Sequence, residues 1–295
     1  MSTPAKLQIE HVSKEFSIPE TSSKRRANRQ LLAVHDVDVQ IADGEFLVIV
    51  GPSGCGKSTL LDMLAGLTPA TSGRILIDGI PITGPGPDRG IVFQQYALLP
   101  WRTARENVEF GLEAASVARR ERRERASEYL DLVGLNGFEE SYPHQLSGGM
   151  KQRVAIARSL ATDPKLLIMD EPFGALDALT RDSLQSQLAR IWERTGKTIV
   201  FVTHAIDEAV YLGQRVAVMS ARPGRIKAIV DIPLKSDQDV ADVRANSDFG
   251  QFSRLVWDEL RDEITALQGI AAPRSPAAHQ ARGQVQELEE VGSIA

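Results

Sequence analysis

A glycine-rich segment is the part of this 295-residue sequence best suited to chemistry. Its letters, GPSGCGKST over residues 51–59, fit the pattern G-x-x-x-x-G-K-[ST]. Glycines let successive backbone N–H groups turn inward around phosphates, Lys57 supplies a cation for the β- and γ-phosphates, and the Ser58 hydroxyl suits Mg²⁺. We therefore expect a nucleotide to be bound by the whole segment: Gly51, Pro52, Ser53, Gly54, Cys55, Gly56, Lys57, Ser58 and Thr59.

Two other interpretations of this segment stay open from the residues alone. The segment could be a glycine-rich turn with an incidental lysine, or the Cys55 thiol could carry out redox chemistry. An apolar strand pattern before the segment and a helix pattern after it favour phosphate binding, because the helix N-terminus then points its dipole at the anion.

An acidic pair follows a second apolar run. LLIM at 166–169 reads as a buried strand and ends in Asp170-Glu171-Pro172. An acid at the end of a strand beside a phosphate loop can hold Mg²⁺ through water, which assigns Asp170 to the metal together with Ser58. We expect Pro172 to keep Glu171 extended, with its carboxylate placed as the general base that accepts a proton from the attacking water. The alternative is an N-cap aspartate followed by a surface glutamate.

The elements that must position these residues alternate along the chain. The run FLVIV (46–50) predicts a fully buried strand, and LLDMLAGL after Lys57 predicts a helix. Strands alternating with helices indicate a parallel α/β sheet. Further strands are expected at 36–41, 73–79, 198–203 and 215–219, and helical segments at 104–133, 147–161, 177–195 and 205–212.

A second glycine-rich helix start indicates which class of phosphate-loop protein this is. Residues 146–153 read LSGGMKQR, in which Ser147 suits a helix start and Gly148 and Gly149 leave backbone amides exposed. This is a second anion site at a helix N-terminus. With the phosphate loop and LLIMDEP in this order, the sequence resembles the ATP-binding subunits of ABC transporters over roughly residues 7–230, and LSGGMKQR matches their signature.

The resemblance implies a fold and further site residues. The fold class would be α/β, a P-loop NTPase (RecA-like) core with an antiparallel β subdomain and an inserted helical subdomain at about 95–160. Gln94 matches the family's Q-loop glutamine, which reaches Mg²⁺ and the attacking water, and His204 matches the switch histidine that contacts the γ-phosphate. Ala175-Leu176-Asp177 matches the D-loop. Two copies would meet head to tail, each ATP lying between the phosphate loop of one and the signature of the other.

One position departs from the family's pattern. The family stacks an aromatic side chain on adenine shortly before the strand at 34–41, and Phe16 in VSKEF is the best match. A polar, turn-rich insertion at 17–30 places Phe16 unusually far before Gly51. An ordinary core phenylalanine is therefore the alternative for this residue.

Two stretches resemble importers of the nitrate, sulfonate and taurine group: 86–113 (GPDRGIVFQQYALLPWRTARENVEFGLE) and 218–226 (VMSARPGRI). We expect an ATPase that drives anion uptake through a separate membrane permease, with an extracytoplasmic solute-binding protein delivering the solute. Leu98, Leu99 and Trp101 would anchor the permease, or belong to the core of the helical subdomain. Exporters or lipid-extraction pumps, ABC ATPases of DNA repair or ribosomes, and P-loop GTPases are the alternatives.

Composition restricts the partners and the location. The formal net charge of −5 argues against a nucleic-acid partner, and a single cysteine cannot form an internal disulfide. No apolar run approaches the ~18 residues of a membrane span, and no signal-peptide pattern opens the chain. We expect a peripheral protein at the cytoplasmic face of the inner membrane, with an ATPase domain at 7–235, a helical extension at 236–270 and a disordered tail at 271–295.

Overall fold

Two β-sheets organise the chain in the computed structural model, which describes residues 5–19, 28–234 and 240–267. The described residues form these strands: β1 (Ala5–Pro19), β2 (Asn28–Ala42), β3 (Phe46–Val50), β4 (Ser72–Ile77), β5 (Ile80–Pro81), β6 (Arg89–Val92), β7 (Leu166–Asp170), β8 (Thr198–Thr203), β9 (Arg215–Met219) and β10 (Ile226–Asp231). They also form these helices: α1 (Lys57–Leu64), α2 (Ala104–Ala114), α3 (Arg119–Leu132), α4 (Gly148–Ala161), α5 (Ala178–Thr195), α6 (Ile206–Leu212), α7 (Val240–Ala245) and α8 (Ser247–Leu267).

The larger sheet brings the chemistry-bearing segments to one edge. Its order is β10-β9-β3-β8-β7-β6, with β6, β7, β8, β3 and β9 parallel and β10 antiparallel to β9. Val50 pairs with Thr203, and Asp170 pairs with Val202. Because carboxyl ends of parallel strands meet at the same edge, the loops after β3, β7 and β8 lie together there.

Strand β3 is apolar at every position because both faces of the sheet are covered. Phe46, Val48 and Val50 belong to a core shared with the helices, among them α4, α5 and α6. Leu47 and Ile49 belong to a second core, shared with α1 and the smaller sheet. The expected buried strand and the expected parallel α/β sheet are both confirmed.

The smaller sheet is antiparallel, with the order β2-β1-β4-β5. The pairing of β1 with β2 continues through Ser17–Gln30 to Pro19–Asn28. The ends of the 17–30 stretch, which the sequence marked as a turn-rich insertion, are therefore strand, because the hairpin ladder extends into them. The rest of that stretch lies outside the described residues.

The segment 104–133, interpreted as one helical stretch, forms two helices, α2 and α3. The chain turns between them at Ser116, which has a positive φ of 59°. Both helices contact α4, the helix that the signature opens. The architecture is thus α/β with an antiparallel β layer and a helical part, and the fold class expected from the sequence is confirmed.

The last described helices, α7 and α8, lie within the stretch expected as a helical extension. The buried residues Phe249, Val256 and Leu260 attach α8 to the larger core. The tail expected at 271–295 lies outside the described residues. None of the helices in the described ranges combines the length and apolarity needed to cross a bilayer.

Candidate nucleotide site

The phosphate loop has the backbone shape that an anion cradle needs. It joins the end of β3 to α1, and both Gly54 and Gly56 have positive φ, 75° and 105°. Gly56 is the N-cap of α1, and a Cβ added to it would lie 2.8 Å from the carbonyl oxygen of Ala33. Only glycine combines a positive φ with so close an approach to the Ala33 carbonyl, which explains why the pattern has glycine at position 56.

Lys57 lies folded over its own loop. Its side chain is buried, and Nζ donates hydrogen bonds to the carbonyl oxygens of Gly51 (2.8 Å) and Pro52 (3.1 Å). Carbonyl groups carry no full negative charge, so the ammonium group keeps its attraction for an anion. The loop, the N-terminus of α1 and this cation together form a phosphate-binding surface.

A cavity of about 330 Å³ opens beside this loop. Phe16 lies on its wall and is 38% exposed, so it is not a core residue. Phe16 pairs with Leu31 across the β1–β2 hairpin, and this pairing places it here despite its distance in sequence from the loop. The cavity is lined by Phe16, Leu31, Ala33, Ser53, Gly54, Gly56, Lys57, Ser58, Thr59, Glu171 and Arg222.

Asp170 is a partly buried carboxylate at the end of β7. Burial raises its pKa above the ordinary value, whereas a hydrogen bond with Ser58 and the charge of Lys57 lower it. The neighbouring charges of Glu171 and Asp62 raise it further. A desolvated carboxylate beside a serine hydroxyl and a phosphate loop fits a hard divalent cation, which would relieve this electrostatic cost.

Glu171 is not extended, so that expectation was wrong. Its φ is 42°, in the left-handed region. Its N–H donates to Val202 O (2.9 Å) on β8, and its carbonyl accepts from Gly174 N (3.1 Å), so the chain turns at once instead of continuing the strand. These bonds hold a conformation that ordinarily costs about 1–3 kcal/mol, the kind of strain often found at functional sites.

The turn directs the Glu171 carboxylate toward His204. Oε2 of Glu171 lies 3.0 Å from Nδ1 of His204, and Glu171 also lines the cavity beside Lys57. A Cβ added to Gly174 would lie 3.6 Å from Gln94 Nε2 and 3.9 Å from Glu171 Oε2. The structure therefore brings Gln94, Glu171 and His204 together.

The Q-loop backbone is tied to the signature helix. Arg158 of α4 donates hydrogen bonds to the carbonyl oxygens of Ala97 (2.6 Å) and Tyr96 (3.1 Å). Burial lowers the pKa of this guanidinium. A rigid movement of α4 would therefore carry the segment that follows Gln94 with it.

The signature residues lie elsewhere. Ser147 caps α4, its hydroxyl accepting a hydrogen bond from Met150 N (3.3 Å). A Cβ on Gly148 would lie 3.0 Å from Tyr96 Oη and 3.3 Å from Leu176 Cδ2, and one on Gly149 would lie 2.6 Å from Thr180 Cγ2. Gly148 therefore borders Leu176 of the D-loop and Gly149 borders Thr180 of α5, and none of Ser147, Gly148 and Gly149 is among the described residues that line the phosphate cavity.

Arg222 is a cavity residue that the sequence reasoning missed. Its Nε and Nη2 donate to the carbonyl oxygen of Gly54, at 3.3 and 3.1 Å. Two residues on, a Cβ on Gly224 would lie 2.0 Å from the Cys55 carbonyl oxygen, so this loop packs on the phosphate loop. The sequence feature that could have indicated Arg222 is its position just after β9. That strand runs parallel to β3, so the loops after both strands lie at the same edge of the sheet.

Trp101 stands out on the helical part of the surface. It is 70% exposed and lines a charged groove of about 480 Å³, whereas Leu98 packs against the core. The fully buried Asn107 fixes this loop, accepting from Leu99 N and donating to the Leu99, Arg102 and Thr103 carbonyls. Trp101 is thus held in place yet left uncovered.

Known proteins resemble this chain in sequence. The pattern of the family described as ABC transporter matches residues 34–174. The taurine import ATP-binding protein TauB of Rhizobium johnstonii is 47% identical over 262 residues, 88% of this chain and 95% of that protein. The nitrate import ATP-binding protein NrtD of Synechocystis sp. is 54% identical over 240 residues, 80% and 90% of the two chains.

Solved structures are similar as well. A dimeric, post-hydrolysis structure of the ATP-binding cassette MJ0796 bound to ADP and Pi has a TM-score of 0.65 and 35% identity, covering 77% of this chain and 99% of that one. The structure of cbiO1 from Clostridium perfringens, described as part of the transporter complex cbiONQ, has a TM-score of 0.66, 29% identity and coverage of 90% and 99%.

Proposed function

Because this chain belongs to the ABC transporter family of ATP-binding proteins, we propose that it is the ATP-hydrolysing subunit of an importer for small sulfonate-, taurine- or nitrate-type anions. The observation that carries the proposal is the convergence of Lys57, Glu171 and His204 at one edge of the sheet. The similarity to taurine and nitrate import proteins supports the substrate class.

ATP would occupy the cavity beside the phosphate loop. The backbone N–H groups of the loop (residues 51–59 apart from Pro52) and Lys57 would bind the phosphates, and Phe16, on the wall of the cavity, would stack on the adenine. Ser58, Asp170 and Gln94 would hold Mg²⁺, which supplies charge neutralisation to the β- and γ-phosphates when bound.

Hydrolysis would be promoted by the Glu171 carboxylate. It accepts a proton from a water molecule as the water oxygen attacks the γ-phosphorus and the bond to the bridging oxygen breaks, releasing ADP and phosphate. His204, 3.0 Å from this carboxylate, orients it and contacts the γ-phosphate. General-base assistance typically contributes ~10²–10⁴-fold in rate.

The active unit would contain two copies of this chain. The signature amides at the start of α4 are suited to bind an anion, yet Ser147, Gly148 and Gly149 are not among the described residues that line their own phosphate cavity. A second copy, placed head to tail, supplies them to the nucleotide. The dimeric form of the MJ0796 cassette supports this arrangement.

The membrane partner would dock at the groove beside Trp101. An exposed aromatic anchor surrounded by arginine and glutamate side chains is typical of a protein-binding surface. The partner would be an integral permease, with a solute-binding protein on its outer side and this chain at the cytoplasmic face. No nucleic acid takes part in this scheme.

Reconstitution tests the proposal directly. The full chain would be combined with an anion permease and its solute-binding protein in liposomes, with ATP on the side of the ATPase. We expect Mg²⁺-dependent ATP hydrolysis and anion uptake, both lost in Lys57→Ala. In the Trp101→Ala variant, permease binding should weaken, whereas Leu255→Ala, an exposed apolar change on α8, should leave it unchanged. Export of solute, or hydrolysis that responds to DNA or ribosomes but to no permease, would contradict it.

A further inference from the structure

A buried carboxylate lies behind the nucleotide site and takes no part in the scheme above. Glu208 of α6 is only 5% exposed. Burial raises the pKa of this carboxyl, while hydrogen bonds with Thr203 and Gln185 and the charges of Arg181 and His204 lower it. A buried acid is costly unless its partners satisfy it, so the identity of those partners indicates what it holds in place.

The first partner connects Glu208 to the histidine loop. Thr203, the last residue of β8, donates from Oγ1 to Glu208 Oε2 at 2.6 Å. The same hydroxyl oxygen accepts from Ala205 N at 3.0 Å. Thr203 and Ala205 flank His204, so one hydroxyl, oriented by Glu208, ties the backbone on both sides of the histidine.

The second partner connects Glu208 to the D-loop. Arg181 of α5 donates from Nη2 to the carbonyl oxygen of Leu176 at 2.9 Å. Its Nε is buried and lies 3.7 Å from Glu208 Oε1, an ion-pair distance. A movement of roughly 0.7 Å would turn that ion pair into a hydrogen bond. Arg181 therefore links the two loops: it holds the D-loop by its hydrogen bond to Leu176 and faces Glu208 across the ion pair.

We propose that Glu208 and Arg181 are positioning residues that couple the His204 loop to the D-loop. The inference rests on the proposed site, in which His204 contacts the γ-phosphate. Leu176 precedes Asp177, the N-cap of α5, and lies beside Gly148 of the signature. A displacement of His204 by nucleotide at one site therefore passes through Thr203, Glu208 and Arg181 to the surface that faces the second copy.

The test measures ATP hydrolysis by the full-length dimer in three variants. Arg181→Met and Glu208→Gln each remove one charge, and the double variant removes both, which avoids leaving an unpaired buried charge. We expect each single change to lower kcat about tenfold with KM for ATP changed less than twofold. The double variant should be no worse than the poorer single one, because the two residues act as one unit.

Two further variants make the result decisive. Asp182, next to Arg181 on α5, forms an ion pair (3.1 Å) with Arg244 of α7, and breaking it with Asp182→Asn should leave kcat unchanged. Thr203→Val removes the linking hydroxyl at nearly constant volume and should reproduce the loss of kcat even if the charge variants fold poorly. A rise in KM with kcat retained, or losses that multiply in the double variant, would overturn the coupling. Failure of the proposed function is distinct, since then Glu171→Gln and His204→Ala would leave hydrolysis intact.

Discussion

The Nδ1 atom of His204 lies 3.0 Å from Oε2 of Glu171, although the two residues are 33 positions apart in the chain. Both follow neighbouring parallel strands, β8 and β7, and the backbone N–H of Glu171 donates to Val202 O on β8. The contact thus depends on strand pairing and on the left-handed turn at Glu171, whose φ is 42°.

Glu171→Gln should separate binding from hydrolysis. The amide keeps the shape and the contact with His204 but cannot accept a proton, so we expect ATP affinity to be retained and turnover to fall ~10²–10⁴-fold. Equilibrium binding and phosphate release measure the two effects. Glu193→Gln, an exposed change on α5, is the matched control. Equal turnover in the two variants would exclude Glu171 as the base.

Arg222→Ala should weaken nucleotide binding. Arg222 lines the cavity and holds the Gly54 carbonyl, so its loss removes a cation from the site and a restraint from the phosphate loop. We expect the Kd for ATP to rise about tenfold, equivalent to ~1.4 kcal/mol. Isothermal titration would measure it, with Arg225→Ala, outside the cavity lining, as the control. An unchanged Kd in Arg222→Ala would refute the assignment.

Gly149→Ala should destabilise the fold through one contact. The added Cβ would lie 2.6 Å from Thr180 Cγ2, and overpacking of this kind costs about 1–3 kcal/mol. Urea unfolding should show the loss, and the double variant Gly149→Ala/Thr180→Ser, which lacks that methyl group, should recover most of it. Gly250→Ala on α8, where the new Cβ would meet no atom within 4 Å beyond the adjoining backbone of its own helix, should instead stabilise the chain. No recovery in the double variant would show that another contact is responsible.

The charge of Asp78 should make the thermal stability of the protein depend on pH. A hydrogen bond from Lys165 (2.6 Å), with Lys6 at 3.1 Å, lowers the pKa of Asp78 below its ordinary 3.8. A lowered pKa stabilises the fold above 3.8, and this contribution is lost as the pH falls through the folded pKa. Asp78→Asn should therefore lower Tm at pH 7, by less than about 3 °C for so exposed a pair, and by less at pH 3.

Differential scanning calorimetry of both proteins from pH 7 to pH 3 checks this expectation. Asparagine tolerates the positive φ of 50° at position 78, so backbone strain does not confuse the comparison. Lys165→Met should show the same trend with pH. A Tm difference that stays constant across the range would contradict the role of the Asp78 charge.

Local features of the fold were predictable because each depends on residues adjacent in the chain. The order strand, glycine loop and helix around Lys57, the capping of α4 by Ser147 and the buried strand β3 all follow from consecutive residues. The resemblance of LSGGMKQR and its companion motifs to ABC transporter subunits likewise needs no contact between distant segments.

Tertiary structure alone decided which distant side chains meet. The hairpin register brings Phe16 to the cavity, the pairing of β9 with β3 brings Arg222 there, and the packing of α5 beside α6 brings Arg181 to Glu208, the residue that bonds Thr203. The hydrogen bond from Glu171 N to Val202 O on the neighbouring strand also holds Glu171 in the left-handed conformation, whereas the following proline predicts an extended one. Sequence spacing reports the local path of the backbone, whereas these contacts depend on how separate strands pair and helices pack, which no short window of residues encodes.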